Sequence, residues 1–247
     1  MGDLHVLELF CGAGGAAMGM IQAGASVTGV DRDPHCAPFY PGRFILCDVF
    51  KVERLMDWSF IISRADLVWA GPKCEGNSPA TNMRASNADH ADQIGPTREM
   101  IERWGKPYVI ENVPQAATKF HRMRADIKLN GYSMTPPLEL ARERVFECSF
   151  PVVQPRYITR TEVPAEKRQK CSVYGRLVSS PRKGGNERYE FEKKWRPIQM
   201  GIDFIPVNAG SSKDPETGRD YNLLALAIPP AFSKYIIEQF ITWRANQ

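Results

Sequence analysis

The sequence has no Cys-x-x-Cys pair among its six cysteines, which stand at positions 11, 36, 47, 74, 148 and 171. That scatter argues against a structural zinc site and against a disulfide framework, and it fits a reduced cytoplasm. No run of about 18 apolar residues occurs, so no membrane span is expected. The start, Met1-Gly2-Asp3-Leu4-His5, carries no basic region and no signal-peptide core. Internal repeats and low-complexity tracts are absent as well. What is present is ordinary: 247 residues, 43% of them hydrophobic, enough for one sizeable domain or a domain with a small insert.

Net charge is small, +4, but unevenly placed. Between Pro151 and Pro197 stand twelve Lys or Arg and five Glu with no Asp, a local +7. The cations are Arg156, Arg160, Lys167, Arg168, Lys170, Arg176, Arg182, Lys183, Arg188, Lys193, Lys194 and Arg196, interleaved with Tyr157, Tyr174, Tyr189, Phe191 and Trp195. A basic stretch with aromatics points to nucleic-acid backbone contact; the plainer alternative is a solvated, irregular surface insert.

Short apolar runs at Val6–Phe10, Ser26–Val30, Phe44–Leu46, Leu67–Ala70 and Tyr108–Ile110 alternate with helical or loop stretches. This pattern predicts an α/β fold: a mostly parallel, doubly wound, Rossmann-like sheet with helices on both faces. Helices are predicted over Met18–Ala23 and Pro96–Trp104, and from Pro229-Pro230 onward with Phe232, Tyr235, Ile236, Phe240 and Trp243 as the apolar stripe. A turn is expected at Asn130-Gly131 and a strand over Arg142–Phe150 that carries Arg142 and Arg144. Loop tips are expected at Ser179-Ser180-Pro181 and Gly184-Gly185, and another loop cluster over Ala209–Pro215.

Three constellations carry chemistry. Val6–Phe10 runs into Cys11-Gly12-Ala13-Gly14-Gly15-Ala16-Ala17, and the next strand ends in Asp31. A strand, a glycine turn, a helix and a placed acid form a nucleotide-binding fingerprint, without saying whether the nucleotide is NAD or S-adenosylmethionine. Cys74 follows Gly71-Pro72-Lys73 at the tip of a predicted strand. The polar stretch Glu75–Gln93 after it is long enough to serve as a lid. Ligands of open parallel sheets bind beyond the carboxyl ends of the strands, where a thiol could reach a substrate; a small hydrophobe capping a strand is the alternative. Glu111 ends the run Tyr108-Val109-Ile110, and the same edge would receive it.

Together these segments resemble the DNA (cytosine-5) methyltransferase family, most closely its short phage-type members of restriction–modification systems. Leu7-Glu8-Leu9-Phe10-Cys11-Gly12-Ala13-Gly14-Gly15 looks like the opening cofactor motif. Gly71-Pro72-Lys73-Cys74-Glu75 looks like the Pro-Cys nucleophile motif, and Glu111-Asn112-Val113 like the Glu-Asn-Val motif. Arg142-Glu143-Arg144 resembles the Arg-x-Arg motif, and Ala227-Ile228-Pro229-Pro230-Ala231 the closing motif. The chain departs from the family pattern at Lys73 (usually Pro), Glu75 (usually Gln), Leu140 (usually Gln) and Leu226 (usually Asn).

The resemblance implies methyl transfer from S-adenosylmethionine to C5 of a cytosine flipped out of double-stranded DNA, with Cys74 as the thiolate that adds to C6. It implies Glu111, Arg142 and Arg144 at the base. Phe10 would lie against the adenine, Gly12 and Gly14 near the amino-acid end, Asp31 on the ribose and Asp48 near the adenine amine, with Pro72 lining the pocket. It further implies a cofactor-binding catalytic domain over 1–150, a small basic target-recognition region over 151–207 and a carboxy-terminal segment, 208–247, returning to the first. A cytoplasmic monomer without metal is expected. Four alternatives stay open: an RNA cytosine-5 methyltransferase, transfer of a modified alkyl group from a carboxylated donor that Lys73 would pair with, a catalytically silent nucleic-acid-binding relative, and an NAD-dependent oxidoreductase.

Overall fold

The computed structural model describes residues 4–73, 92–169, 185–206, 209, 212–213 and 220–247, with the backbone alone at 185–192, 212–213 and 220–221. Seven strands form one sheet: β1 (His5–Leu9), β2 (Ser26–Asp31), β3 (Arg43–Leu46), β4 (Leu67–Ala70), β5 (Tyr108–Asn112), β6 (Ile127–Leu129) and β7 (Arg144–Cys148). Their order is β3-β2-β1-β4-β5-β7-β6, with every pairing parallel except those of β7, which runs antiparallel to both β5 and β6. Chain order reverses between β1 and β4, the place where an open α/β sheet leaves a crevice beyond its carboxyl ends.

Helices cover both faces, which is why the central strands read as near-continuous apolar runs. Alternate residues feed two cores. Val6, Trp69, Val109 and Phe146 face α1 (Gly15–Gln22) and the carboxy-terminal helix α7 (Pro230–Arg244). Leu7, Leu9, Val68 and Ile110 face α2 (Trp58–Arg64) and α3 (Ile94–Arg103). The two helices of the first layer touch at Gly19, where a Cβ would come within 1.9 Å of Pro230 O. Ser233 Oγ donates to Ala16 O across the same contact (2.7 Å). The predicted stripe of α7 packs inward, with Phe232, Ile236 and Phe240 buried.

A third, smaller core joins the sheet to the carboxy-terminal part. Leu140 packs there with Met200, Ile202, Ile205, Leu223 and Leu224. These come from α5 (Gly185–Met200), the chain after it, and α6 (Leu223–Leu226). A short helix, α4 (Pro114–Thr118), follows β5, and β8 (Ser212–Lys213) pairs with β9 (Asp220–Tyr221).

Two expectations change. Gly185 is not a loop tip but the start of the 16-residue α5, which contains Pro197; Glu, Lys and Arg dominate that stretch and favour helix. The expected turn at Asn130-Gly131 is present: it follows β6, and Gly131–Ser133 is a 3-10 turn closed by Asn130 Oδ1 accepting from Ser133 N–H. Arg142 precedes β7 rather than lying in it. The expected tips at 179–181 and Gly184, and most of the 209–215 cluster, lie outside the described residues.

Candidate active site

The described residues that follow β1, β2, β4 and β5 lie at one edge of the sheet, because parallel strands present their carboxyl ends together. β1 runs into Phe10 and the glycine turn. Phe10 (φ 57), Gly12 (φ 52) and Gly14 (φ 86) all take left-handed backbone, which glycine adopts freely and phenylalanine adopts under strain. A Cβ on Gly12 would meet nothing within 4 Å, so the turn faces open space there, whereas one on Gly14 would stand 2.3 Å from Pro41 Cδ.

Asp31, at the end of β2, holds this turn. Its Oδ2 accepts from Gly12 N–H and its Oδ1 from Asp33 N–H, each at 2.9 Å. Burial raises the Asp31 carboxyl against the lowering effect of those N–H donors. Each oxygen keeps a lone pair for a further donor. Asp48, beyond β3, accepts from Phe50 N–H and caps the 3-10 turn Val49–Arg54. Phe10 is half-buried and meets exposed Phe50 edge-on at 5.8 Å. Phe50 thus joins the mouth of the crevice; its exposed place on a short 3-10 turn left no periodic signal in the sequence.

β4 delivers Gly71, Pro72 and Lys73. Cys74, Glu75 and the stretch through 91 lie outside the described residues. Both ends of that stretch are anchored: Lys73 N–H donates to Gln93 Oε1 (3.1 Å), and Asn112 Nδ2 donates to Pro72 O (3.1 Å). Asn112 is therefore a site residue whose part could be inferred only from the fold. Its Oδ1 also accepts from Val113 N–H.

Glu111 is buried beside them, and a Cβ on Gly71 would sit 3.6 Å from its Oε2. The antiparallel β7 begins at this edge. Phe146 pairs with Glu111, so Arg144, two residues earlier, reaches the same face of the sheet diagonally. Arg144 Nε lies 2.6 Å from Glu111 Oε1, with both side chains about as buried as the core. The contact falls outside hydrogen-bond geometry, so charge holds it. Burial raises the Glu111 carboxyl, opposed by the charges of Arg144 and Arg142, and the net shift is upward.

Arg142 is buried as well, but its Nη1 donates to Ala225 O (2.7 Å) and touches Met200 Sδ (3.9 Å). Leu140, where a glutamine was expected, is core. Leu226, where an asparagine was expected, is 58% exposed, because α6 buries Leu223, Leu224 and Ala225 instead. In the basic segment Arg156, Arg160, Lys167, Lys193 and Lys194 are exposed, whereas Arg196 is 2% exposed and cannot face a nucleic acid. Lys170, Arg176, Arg182 and Lys183 lie outside the described residues. Among the described residues, no His, Cys, Asp or Glu cluster could hold a metal, and no helix is long and apolar enough to cross a membrane.

A glycine turn at the switch point, a carboxylate–guanidinium pair on the same edge and one antiparallel strand near the end of the sheet define a Rossmann-like methyltransferase. The profile of the C-5 cytosine-specific DNA methylase family matches residues 4–195. The chain belongs to that family of DNA cytosine methyltransferases, which sets aside the oxidoreductase reading. Solved structures similar to it include the Dnmt2 methyltransferase of S. pombe, at 12% identity and TM-score 0.51 over 97% of this chain and 99% of that one. The methyltransferase EhMeth of Entamoeba histolytica is 11% identical, with TM-score 0.50 over 100% and 99%. A prophage-encoded DNA modification methyltransferase of E. coli is 16% identical, with TM-score 0.49 over 99% and 100%. The first two are likenesses of fold. No curated protein matches by sequence.

Proposed function

We propose that this chain methylates C5 of cytosine in DNA, with Cys74 as nucleophile and Glu111 and Arg144 as the groups that hold the base. The observation that carries the reading is the buried Glu111–Arg144 pair, set against the Gly71-Pro72 backbone from which the chain runs on to Cys74.

Cytosine C5 is a poor nucleophile, and a soft, ionisable thiolate that later departs is the group that changes this. The Cys74 thiolate adds to C6 and the electron pair moves to C5. C5 takes the methyl group, the C5 proton leaves to a base, and expulsion of the thiolate restores the ring. Glu111 bonds N3 and the exocyclic amine. Its raised carboxyl suits it to hold a proton at N3 as charge grows there. Arg144 keeps Glu111 oriented and offers its remaining N–H groups to the base. Since C5 and C6 are unreachable in a stacked duplex, the base is flipped out.

The residues beyond β1, β2 and β3 fit S-adenosylmethionine. Gly12 faces open space, Phe10 and Phe50 form an aromatic lip, and Asp31 keeps acceptor capacity toward ribose hydroxyls. Bound there, the cofactor supplies a methyl group on a sulfonium. Asp48 would reach the adenine amine, the Gly12–Gly14 turn the amino-acid end, and Pro72 the pocket wall. Arg142 would act through the Ala225 carbonyl rather than on the base. The exposed cations of the basic segment would meet phosphates.

The decisive experiment offers labelled S-adenosylmethionine with DNA carrying 5-fluorocytosine. A denaturation-resistant adduct is expected, absent in Cys74→Ser. Nucleoside mass spectrometry on unmodified DNA and RNA then identifies product and substrate. Full turnover by Cys74→Ser overturns the mechanism, and methylation of RNA alone overturns the substrate.

A further inference from the structure

Glu8 is buried in the middle of β1, and its Oε2 accepts from the Tyr40 hydroxyl at 2.8 Å. A carboxylate at such a place would be expensive unless paired with a cation. The groups acting on it are instead Tyr40 and the Asp31 carboxylate at the end of β2, while the Cys11 and Cys36 thiols nearby are pushed up by their own burial. Among the described residues, none of the groups acting on it is a cation.

The surroundings are shaped to receive the Tyr40 ring. Gly29 pairs with Glu8 across β1 and β2. A Cβ on Gly29 would stand 2.3 Å from Tyr40 Cζ and 2.7 Å from Cys11 Sγ. A Cβ on Gly14 would stand 3.0 Å from Tyr40 Cδ2 and 2.3 Å from Pro41 Cδ, and one on Gly42 3.2 Å from Tyr40 Cε1. The ring therefore fills a slot left by missing side chains and touches the glycine turn from below. Tyr40 N–H donates to Cys36 O, which ties the whole 34–41 segment to the ring.

We infer that Glu8 and Tyr40 are a positioning pair for the cofactor: the Glu8 carboxyl receives the Tyr40 hydroxyl and so clamps the 34–41 segment against Gly14, fixing the turn that binds S-adenosylmethionine. The inference rests on the cofactor reading above. Burial pushes the Glu8 carboxyl up to about 8, with Tyr40 opposing and Asp31 adding to the rise. The Tyr40 hydrogen bond favours the charged form of Glu8, so the hydroxyl stays bound to the carboxyl in either protonation state.

The test is calorimetric titration of S-adenosylmethionine into the wild type, Tyr40→Phe, Glu8→Gln and Glu8→Leu at pH 7, with DNA affinity as a check on folding. Tyr40→Phe should raise Kd and donor KM about tenfold, the scale of one buried hydrogen bond, with little change in kcat at saturating donor. Glu8→Gln still accepts from Tyr40 and should bind within about twofold of wild type, whereas Glu8→Leu, which cannot accept, should match Tyr40→Phe. An unchanged Kd in Tyr40→Phe, or a Glu8→Gln as weak as Tyr40→Phe, overturns the pair while leaving the cofactor reading standing. Should Tyr40→Phe fail to fold, Glu8→Leu decides: an unchanged Kd overturns the proposal. No binding by the wild type overturns both.

Discussion

Arg144→Met tests whether the buried ion pair is what holds Glu111. At about 4 Å between charge centres and an effective dielectric near 20, the attraction is roughly 4 kcal/mol. Removing the guanidinium leaves a fully buried carboxylate without its ion-pair partner, and losses of about 3–5 kcal/mol are typical of such a cut. The loss depends on pH with a definite sign. Burial already raises Glu111 above 4.5, and the charge of Arg144 is the largest effect opposing that rise. Without it the folded-state value climbs further, so the folded chain holds a proton that the unfolded chain has released. Stability then falls as pH rises from the unfolded value through the folded one. Urea denaturation at pH 5 and pH 8 should show the variant closer to wild type at pH 5. In a double-mutant cycle with Glu111→Gln, the double variant should recover most of the loss, because no buried charge remains. A coupling below about 1 kcal/mol, or a variant hurt more at pH 5 than at pH 8, would refute the reasoning.

Glu147, 0% exposed, gives the opposite pH sign. Burial raises its carboxyl, but Arg98 (Nε to Oε1, 2.7 Å), the Arg124 N–H (2.9 Å) and the charges of both arginines outweigh that, and the net shift is downward. Its stabilisation is present above 4.5 and lost as pH falls through the folded value, so Arg98→Met should cost about 3–5 kcal/mol at pH 7 and flatten the acid limb of a stability–pH curve. Leu140→Gln, which restores the residue usual in the family, should cost about 1–3 kcal/mol in thermal or urea unfolding, since it puts an amide into the apolar core around Met200 and Leu223. Neutralising Arg156, Arg160, Lys193 and Lys194 should reduce the slope of log affinity for DNA against log salt by up to about 0.9 for each phosphate left without its cation; Arg196→Gln should instead lower the melting temperature, because that side chain is 2% exposed.

The sequence by itself determined β1 to β5 and the segment that holds β7, the edge at which the motifs meet and the family; β6, three residues long, left no signal of its own. Each of those signals is local: a β-branched run, a glycine turn, an acid or thiol one step beyond a strand, repeated in an order that parallel strands convert into a single edge. It also placed the two helices that pack on each other beside the glycine turn, through a 3.6-residue apolar stripe on α7 and the helical pattern of Met18–Ala23 on α1. What it did not carry were properties that depend on pairing between distant segments. Arg142 and Arg144 look equivalent in sequence, yet the antiparallel entry of β7 turns Arg144 to Glu111 and leaves Arg142 bonded to Ala225 O, 83 residues away. Lys193, Lys194 and Arg196 read alike as charge, yet α5 exposes the first two and buries the third. Tyr40 and Glu8 carry no motif together; only the stacking of β2 on β1, with Gly29 opposite Glu8, brings the phenol to the carboxyl. Periodicity specifies which face of an element is apolar. Which polar group meets which across that face is fixed by register and strand direction, and these exist only once the sheet has formed.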